Sequence, residues 1–150
     1  MKFKLNDWMT MVKRLQTAHT LVAQAREARR AVADEEEAQG FLDDAVLYAW
    51  RFGEYAINVL LELAGLKQER QHKHAERIDE LHGKGWLVGD YKKRIENLNT
   101  YRLKADYAGY SSVPSVHYSP ADVENCLSAM DALRDEVTAL LQREGKLPPP

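Results

Sequence analysis

Apolar residues return every three or four positions along nearly the whole chain. Trp8, Val12, Leu15, His19 and Val22 set this period and predict an amphipathic helix from Asn6 to about Ala33. The run "DEEEAQG" interrupts the pattern with an acidic cluster and Gly40, either as an interhelical turn or as an acidic helix start. Leu42, Ala45, Ala49, Phe52, Ala56, Val59 and Leu63 form the stripe of a second helix, about Phe41 to Leu63, and Gly65 is placed to cap it. A shorter helix is predicted from about Glu69 to His82, stopping at "HGKGW". The next starts near Gly89, carries Ile95, Leu98, Tyr101 and Ala105, and ends around Ala108 or Gly109. "AGYSSVPSVHYSP" reads as a loop from its Gly, Ser and Pro content. Ser119, Pro120 and Asp122 then signal a helix start: an N-cap, a first-position proline and an acid in the first turn. Val123, Leu127, Met130, Leu133, Val137 and Leu140 line that last helix, and residues 145–150 are a frayed tail. Neither strand nor internal repeat is expected. The pattern predicts one all-α domain over 1–150, an up-and-down four-helix bundle with a short extra helix.

Composition sharpens this picture at few points. With 45% hydrophobic and 29% charged residues in 150, the chain can bury a core without staples. Its one cysteine, Cys126, excludes an internal disulfide framework and fits a reducing compartment. The start, "MKFKLNDWMTMVKRLQ", has charges scattered through it and resembles neither a signal peptide nor a membrane span, so a cytoplasmic location is expected. The net charge is −2, but Lys67 to Lys104 holds ten Lys/Arg against six Asp/Glu. That basic island is either a solvated helical surface or the footprint of an anionic ligand.

The candidate chemistry centres on "NTYRLKADYAGYSS". Arg102 and Asp106 are one helical turn apart and share a face. Exposed, such a pair contributes a few tenths of a kcal/mol. Next to an apolar stripe and a loop, a carboxylate-held guanidinium can offer its other donors to a phosphate. Tyr101, Tyr107 and Tyr110 surround the pair, and their rings can stack a base or pack an interface. Lys104 adds a cation beside them.

Glu54 and Asn58, one turn apart on an apolar helix, are either exposed or members of a polar network between helices. The histidines are His19, His72, His74, His82 and His117. His72 and His74 would face different sides of one helix, and His19, on an apolar stripe, reads as a core residue. No histidines or carboxylates converge at metal-ligand spacing, and no glycine-rich phosphate loop is present. Neither metal nor cofactor is expected.

The segments "LYAWRFGEYAINVLLELAGL", "HKHAERIDEL", "GWLVGDYKKRIENL", "YRLKADY" and the Ser-Pro-Ala-Asp helix start follow one another in an order that resembles a HEPN domain. The resemblance covers about residues 41–142, and "YRLKADY" is similar to the subgroup whose fourth helix ends in Arg-x-x-Ala-Asp-Tyr. It implies a helical bundle, usually dimeric. It also implies an RNA-directed protein of toxin or defence type, in many members a metal-independent endoribonuclease paired with a nucleotidyltransferase-like antitoxin. The implied catalytic residues are Arg102 and Asp106, with His74 matching the family's histidine at the head of the short helix. Tyr101, Lys104, Tyr107, Tyr110 and Glu54 would contact substrate. This chain departs from the nuclease motif, an Arg, four to six residues, then His: counting from Arg102 reaches Tyr107, Ala108 and Gly109. An unperturbed tyrosine is a poor base at neutral pH. A histidine would have to come from elsewhere, His74 or His117. Two alternatives stand beside the RNA reading: a non-catalytic nucleotide- or substrate-binding partner of a nucleotidyltransferase, and a structural dimerisation module.

Overall fold

The computed structural model describes residues 2–31, 35–107 and 118–150; the side chains of Ala31, Asp106 and Tyr107 lie outside that description. Five helices follow in order: α1 (Leu5–Ala31), α2 (Glu35–Leu63), α3 (His74–Gly83), α4 (Lys92–Tyr107) and α5 (Pro120–Arg143), with no strand among the described residues. The chain is an all-α bundle. None of these helices is long and apolar enough to cross a membrane.

Helix α2 packs against all four others, while α1 touches only α2 and α5. Its apolar face is correspondingly wide. Leu42, Ala45, Ala49, Phe52, Ala56 and Val59 are buried as the stripe predicts, and Val46, Trp50, Ile57, Leu60 and Leu61 are buried as well.

The acidic run does not separate two helices at Gly40. Helix α2 starts at Glu35 and passes through Gly40. Glu35, Glu36 and Glu37 occupy its first turn, where the helix dipole favours negative charge. Buried Ala38 and Leu42 supply the packing that outweighs the roughly 1 kcal/mol a helical glycine costs. At the other end Gly65 adopts φ 71°. Gly65 N donates to Glu62 O at 3.0 Å and Leu66 N to Leu61 O at 2.8 Å, a Schellman cap.

Two stripes shift from their predicted positions. On α1 the core residues are Trp8, Leu15, Ala18, Val22, Ala25 and Ala28. His19 is not in the core: its side chain is 45% exposed and pairs with Asp131 of α5 at 2.9 Å. From Tyr91, just before α4, the buried series continues along the helix as Ile95, Leu98 and Arg102, so the arginine occupies the core-facing position that the sequence pattern gives to Tyr101.

The start of α5 is as its sequence signals. Ser119 caps Asp122 N, Asp122 reaches back to Ser119 N at 2.8 Å, and Pro120 opens the helix. The turn before α4 is pinned from α5 by Glu136. It accepts from Val88 N and Gly89 N, both at 2.9 Å, and from the Tyr91 hydroxyl.

Candidate functional site: a polar ridge on α2

Trp50, Glu54 and Asn58 lie four residues apart on α2 and form one ridge along it. The α4 arginine, the α2–α3 connection and the head of α3 all meet this ridge. Among the described residues only two polar or charged side chains are buried, Arg102 and His74, and both are packed against it.

Arg102 reaches the ridge at Trp50. Its guanidinium carbon lies 4.3 Å from the indole centroid, and Nη2 donates to Asn99 Oδ1 at 2.8 Å. The residue is 8% exposed. A planar, weakly hydrated cation tolerates such a place because the ring face supplies attraction where water is absent.

Glu54 is the centre of the ridge and is 13% exposed, facing its neighbours and not solvent. His72 Nδ1 lies 2.9 Å from Glu54 Oε1. His74 Nδ1 lies 2.9 Å from Oε2, at ion-pair distance though off the line of a hydrogen bond. Two histidines two residues apart would diverge on a helix. They converge here because α3 begins at His74, not Glu69, and because His72 takes φ 60°, a left-handed conformation uncommon outside glycine. The same geometry lays the His72 ring against Trp50, with centroids 5.0 Å apart and planes at 51°.

Asn58 explains why α3 starts late. Its Oδ1 accepts from Glu69 N at 2.9 Å, and its Nδ2 donates to Glu69 O at 3.1 Å. This clamp holds the backbone of the connection away from helical pairing. The Asn58 amide is oriented by the Glu69 N–H, so its Nδ2 must also be the donor to His74 Nε2 at 3.1 Å. The His74 proton then sits on Nδ1, toward Glu54. His74 Nε2 is thus taken by Asn58, while Nδ1 lies at ion-pair distance from Glu54 without a hydrogen bond. Glu69's own carboxyl is held below its ordinary range, first by the Gln71 backbone N–H at 2.9 Å.

The remaining predicted site residues divide into two groups. Tyr101 and Lys104 gather on Tyr118 at the head of α5. The two tyrosine rings are 4.6 Å apart, and the Lys104 ammonium lies 5.2 Å from the Tyr118 ring. Tyr118 in turn donates to Asp43 of α2. Burial and the Asp43 carboxylate push the Tyr118 phenol up, and burial does the same to Tyr101. Part of the aromatic surface expected around Arg102 is therefore packed within the chain. The Arg102–Asp106 pairing and the Tyr107 ring involve side chains outside the described residues, as do Tyr110 and His117 altogether.

Sequence reasoning misses Trp50 and the placement of His72. The spacing of Trp50, Glu54 and Asn58 is available as a signal, but Trp50 reads as one more core aromatic until Arg102 is seen to lie on it. Among the described residues no three His, Cys, Asp or Glu side chains form a group able to hold a metal. No family model, curated protein or solved structure matches the chain.

Proposed function

We propose that this chain is an RNA-directed protein of HEPN type, an up-and-down bundle paired as a symmetric homodimer, and that the α2 ridge with Arg102 receives an RNA phosphate. The observation that supports this reading most is the buried Arg102 guanidinium stacked on Trp50, an indole that also packs against a histidine more than half exposed. An arginine in a core-facing register is expensive to desolvate, and a fork-shaped, pre-stacked cation suits phosphate recognition. The connection, α3 and α4 around it belong to the basic island of ten Lys/Arg against six Asp/Glu, which would draw in a polyanion.

The test is fluorescence anisotropy with a labelled single-stranded RNA at fixed low salt. Wild type should bind, and Arg102→Lys, which keeps the charge but loses the planar fork, should bind roughly tenfold more weakly. Absence of wild-type binding, or equal binding by the variant, overturns the reading. Light scattering at tens of micromolar tests the homodimer: a monomeric mass removes that part.

A further inference from the structure

One side-chain amide ties α2 to the connection and to the head of α3. Asn58 Oδ1 accepts from Glu69 N at 2.9 Å, and Nδ2 lies 3.1 Å from both Glu69 O and His74 Nε2. The Glu69 N–H fixes which end of the amide is oxygen. The three contacts therefore close only while His74 Nε2 accepts, with the imidazole neutral and its proton on Nδ1. A second proton makes both ring nitrogens donors. Nε2–H then meets the Asn58 N–H, donor against donor. Turning the amide over presents Oδ1 to the imidazolium, but it also sets Oδ1 against Glu69 O and Nδ2 against Glu69 N. Neither arrangement keeps all three contacts. His74 is 3% exposed, so little water is at hand to replace a lost partner.

The surroundings supply a counter-charge for that proton. Glu54 Oε2 lies 2.9 Å from His74 Nδ1, and Glu54 Oε1 lies 2.9 Å from His72 Nδ1. Glu69 of the connection feels the charge of His74, and it pairs with Arg77 of α3 at 3.7 Å. Helix α4 reaches the ridge at Trp50, through Arg102. The segment restrained by the clamp is also strained. His72 is held at φ 60°, where a non-glycine residue stays only if its surroundings fix it, and its ring lies 5.0 Å from the Trp50 indole.

We propose that His74 is a proton switch for the α2–α3 connection. In the neutral state it completes the Asn58 clamp. Once protonated it breaks the clamp on Glu69, the backbone at His72 relaxes, and the His72 imidazole moves off Trp50. The bistable element is the Asn58 amide, and the proton on His74 Nε2 selects its state. The device needs no ligand and is independent of RNA binding.

The experiment is NMR on the full-length chain labelled with ¹⁵N and ¹³C, titrated from pH 8 to 5, the range in which histidine rings change charge. The His74 ring, the Asn58 side-chain amide and the Glu69 backbone amide should titrate together with one midpoint. Protection of the Glu69 amide against exchange, corrected for the intrinsic rate, should fall about tenfold across that midpoint, the equivalent of one net hydrogen bond. His72→Gly, which accepts the left-handed backbone, should leave the coupled titration in place. His74→Gln offers Asn58 an amide oxygen without a titrating proton and should abolish it. Wild type and His72→Gly carry the test if His74→Gln does not fold. An Asn58 amide that stays constant from pH 8 to 5 overturns the proposal. So does one that follows the His72 ring and falls silent in His72→Gly.

Discussion

The Arg102 guanidinium sits 4.3 Å above the centroid of the Trp50 indole, joining the end of α4 to the middle of α2 inside the bundle. A surface ion pair with a residue one turn away would be nearly neutral for stability. A buried arginine on an aromatic face is different: removing it leaves a cavity and an uncovered ring.

Arg102→Ala should therefore destabilise the fold by about 1–3 kcal/mol, combining lost cation–π attraction with lost packing. Trp50→Ala should cost about 3–5 kcal/mol. Trp50→Phe should cost much less, because the indole N–H has no acceptor among the described residues. Urea denaturation of the three variants checks the order; equal stability of Arg102→Ala and wild type would place the arginine on the surface.

Asn58 ties both backbone groups of Glu69 and the ring of His74. Asn58→Leu keeps the volume but leaves those groups unpaired, so it should destabilise by about 1–3 kcal/mol. Hydrogen exchange should localise the change: amides of the α2–α3 connection and the first turn of α3 should lose protection first. Uniform loss across the bundle would contradict the clamp.

Two glycines of α2 should respond in opposite directions. A Cβ at Gly40 meets no other atom within 4 Å, so Gly40→Ala should raise stability by about 0.5–1 kcal/mol. At Gly53 a Cβ would lie 3.0 Å from Met130 Sδ and 3.4 Å from Ile95 Cγ1. Gly53→Val forces larger groups between α2, α4 and α5 and should cost about 1–3 kcal/mol. Paired thermal melts suffice, and a loss of stability in Gly40→Ala would mean that α2 does not run through that position.

Alkali should unfold the protein through its buried acids. Burial pushes the Cys126 thiol from 9.0 up to about 11. Burial, with help from Asp7 and Glu62, pushes the Tyr55 phenol from 10.0 up to about 12. Both groups are kept protonated in the fold, so the unfolded chain releases their protons first. Their contribution is fully present below about pH 9 and is lost as pH rises toward 11 for Cys126 and 12 for Tyr55. The Cys126 share is on the order of 2 kcal/mol by pH 11. The native thiol should resist a disulfide reagent at pH 8 and react on adding denaturant; rapid native reaction would show that Cys126 is accessible.

The helices and most of the core are legible in the amino-acid order alone. Period-3.6 burial and cap chemistry are local properties, and so most of the stripes of α2 and α5, the Ser119 start and the Gly65 stop can be read directly; at the stripe ends Leu61 and Leu141 are buried, while the expected Leu63 and Leu140 are only partly so. The same order marks Glu54, Asn58 and Arg102 as residues out of keeping with an apolar setting. Where the boundaries slip, at Gly40 and at the head of α3, a tertiary term outweighs the local one. Packing of Ala38 and Leu42 carries α2 through a glycine, and the Asn58 clamp on Glu69 delays α3.

What the polar residues do is settled by packing between helices. The series Tyr91, Ile95, Leu98, Arg102 is as regular as the one that places Tyr101 in the arginine's position. Pattern cannot choose between them because hydrophobicity scales exclude arginine from a core. An aromatic face from another helix makes that burial tolerable. Likewise, two histidines two residues apart share one carboxylate through a single backbone angle, φ 60° at His72. Side-chain periodicity fixes which residues share a face of one helix. Which residues meet between helices depends on crossing and connection, which are set by packing of the whole chain.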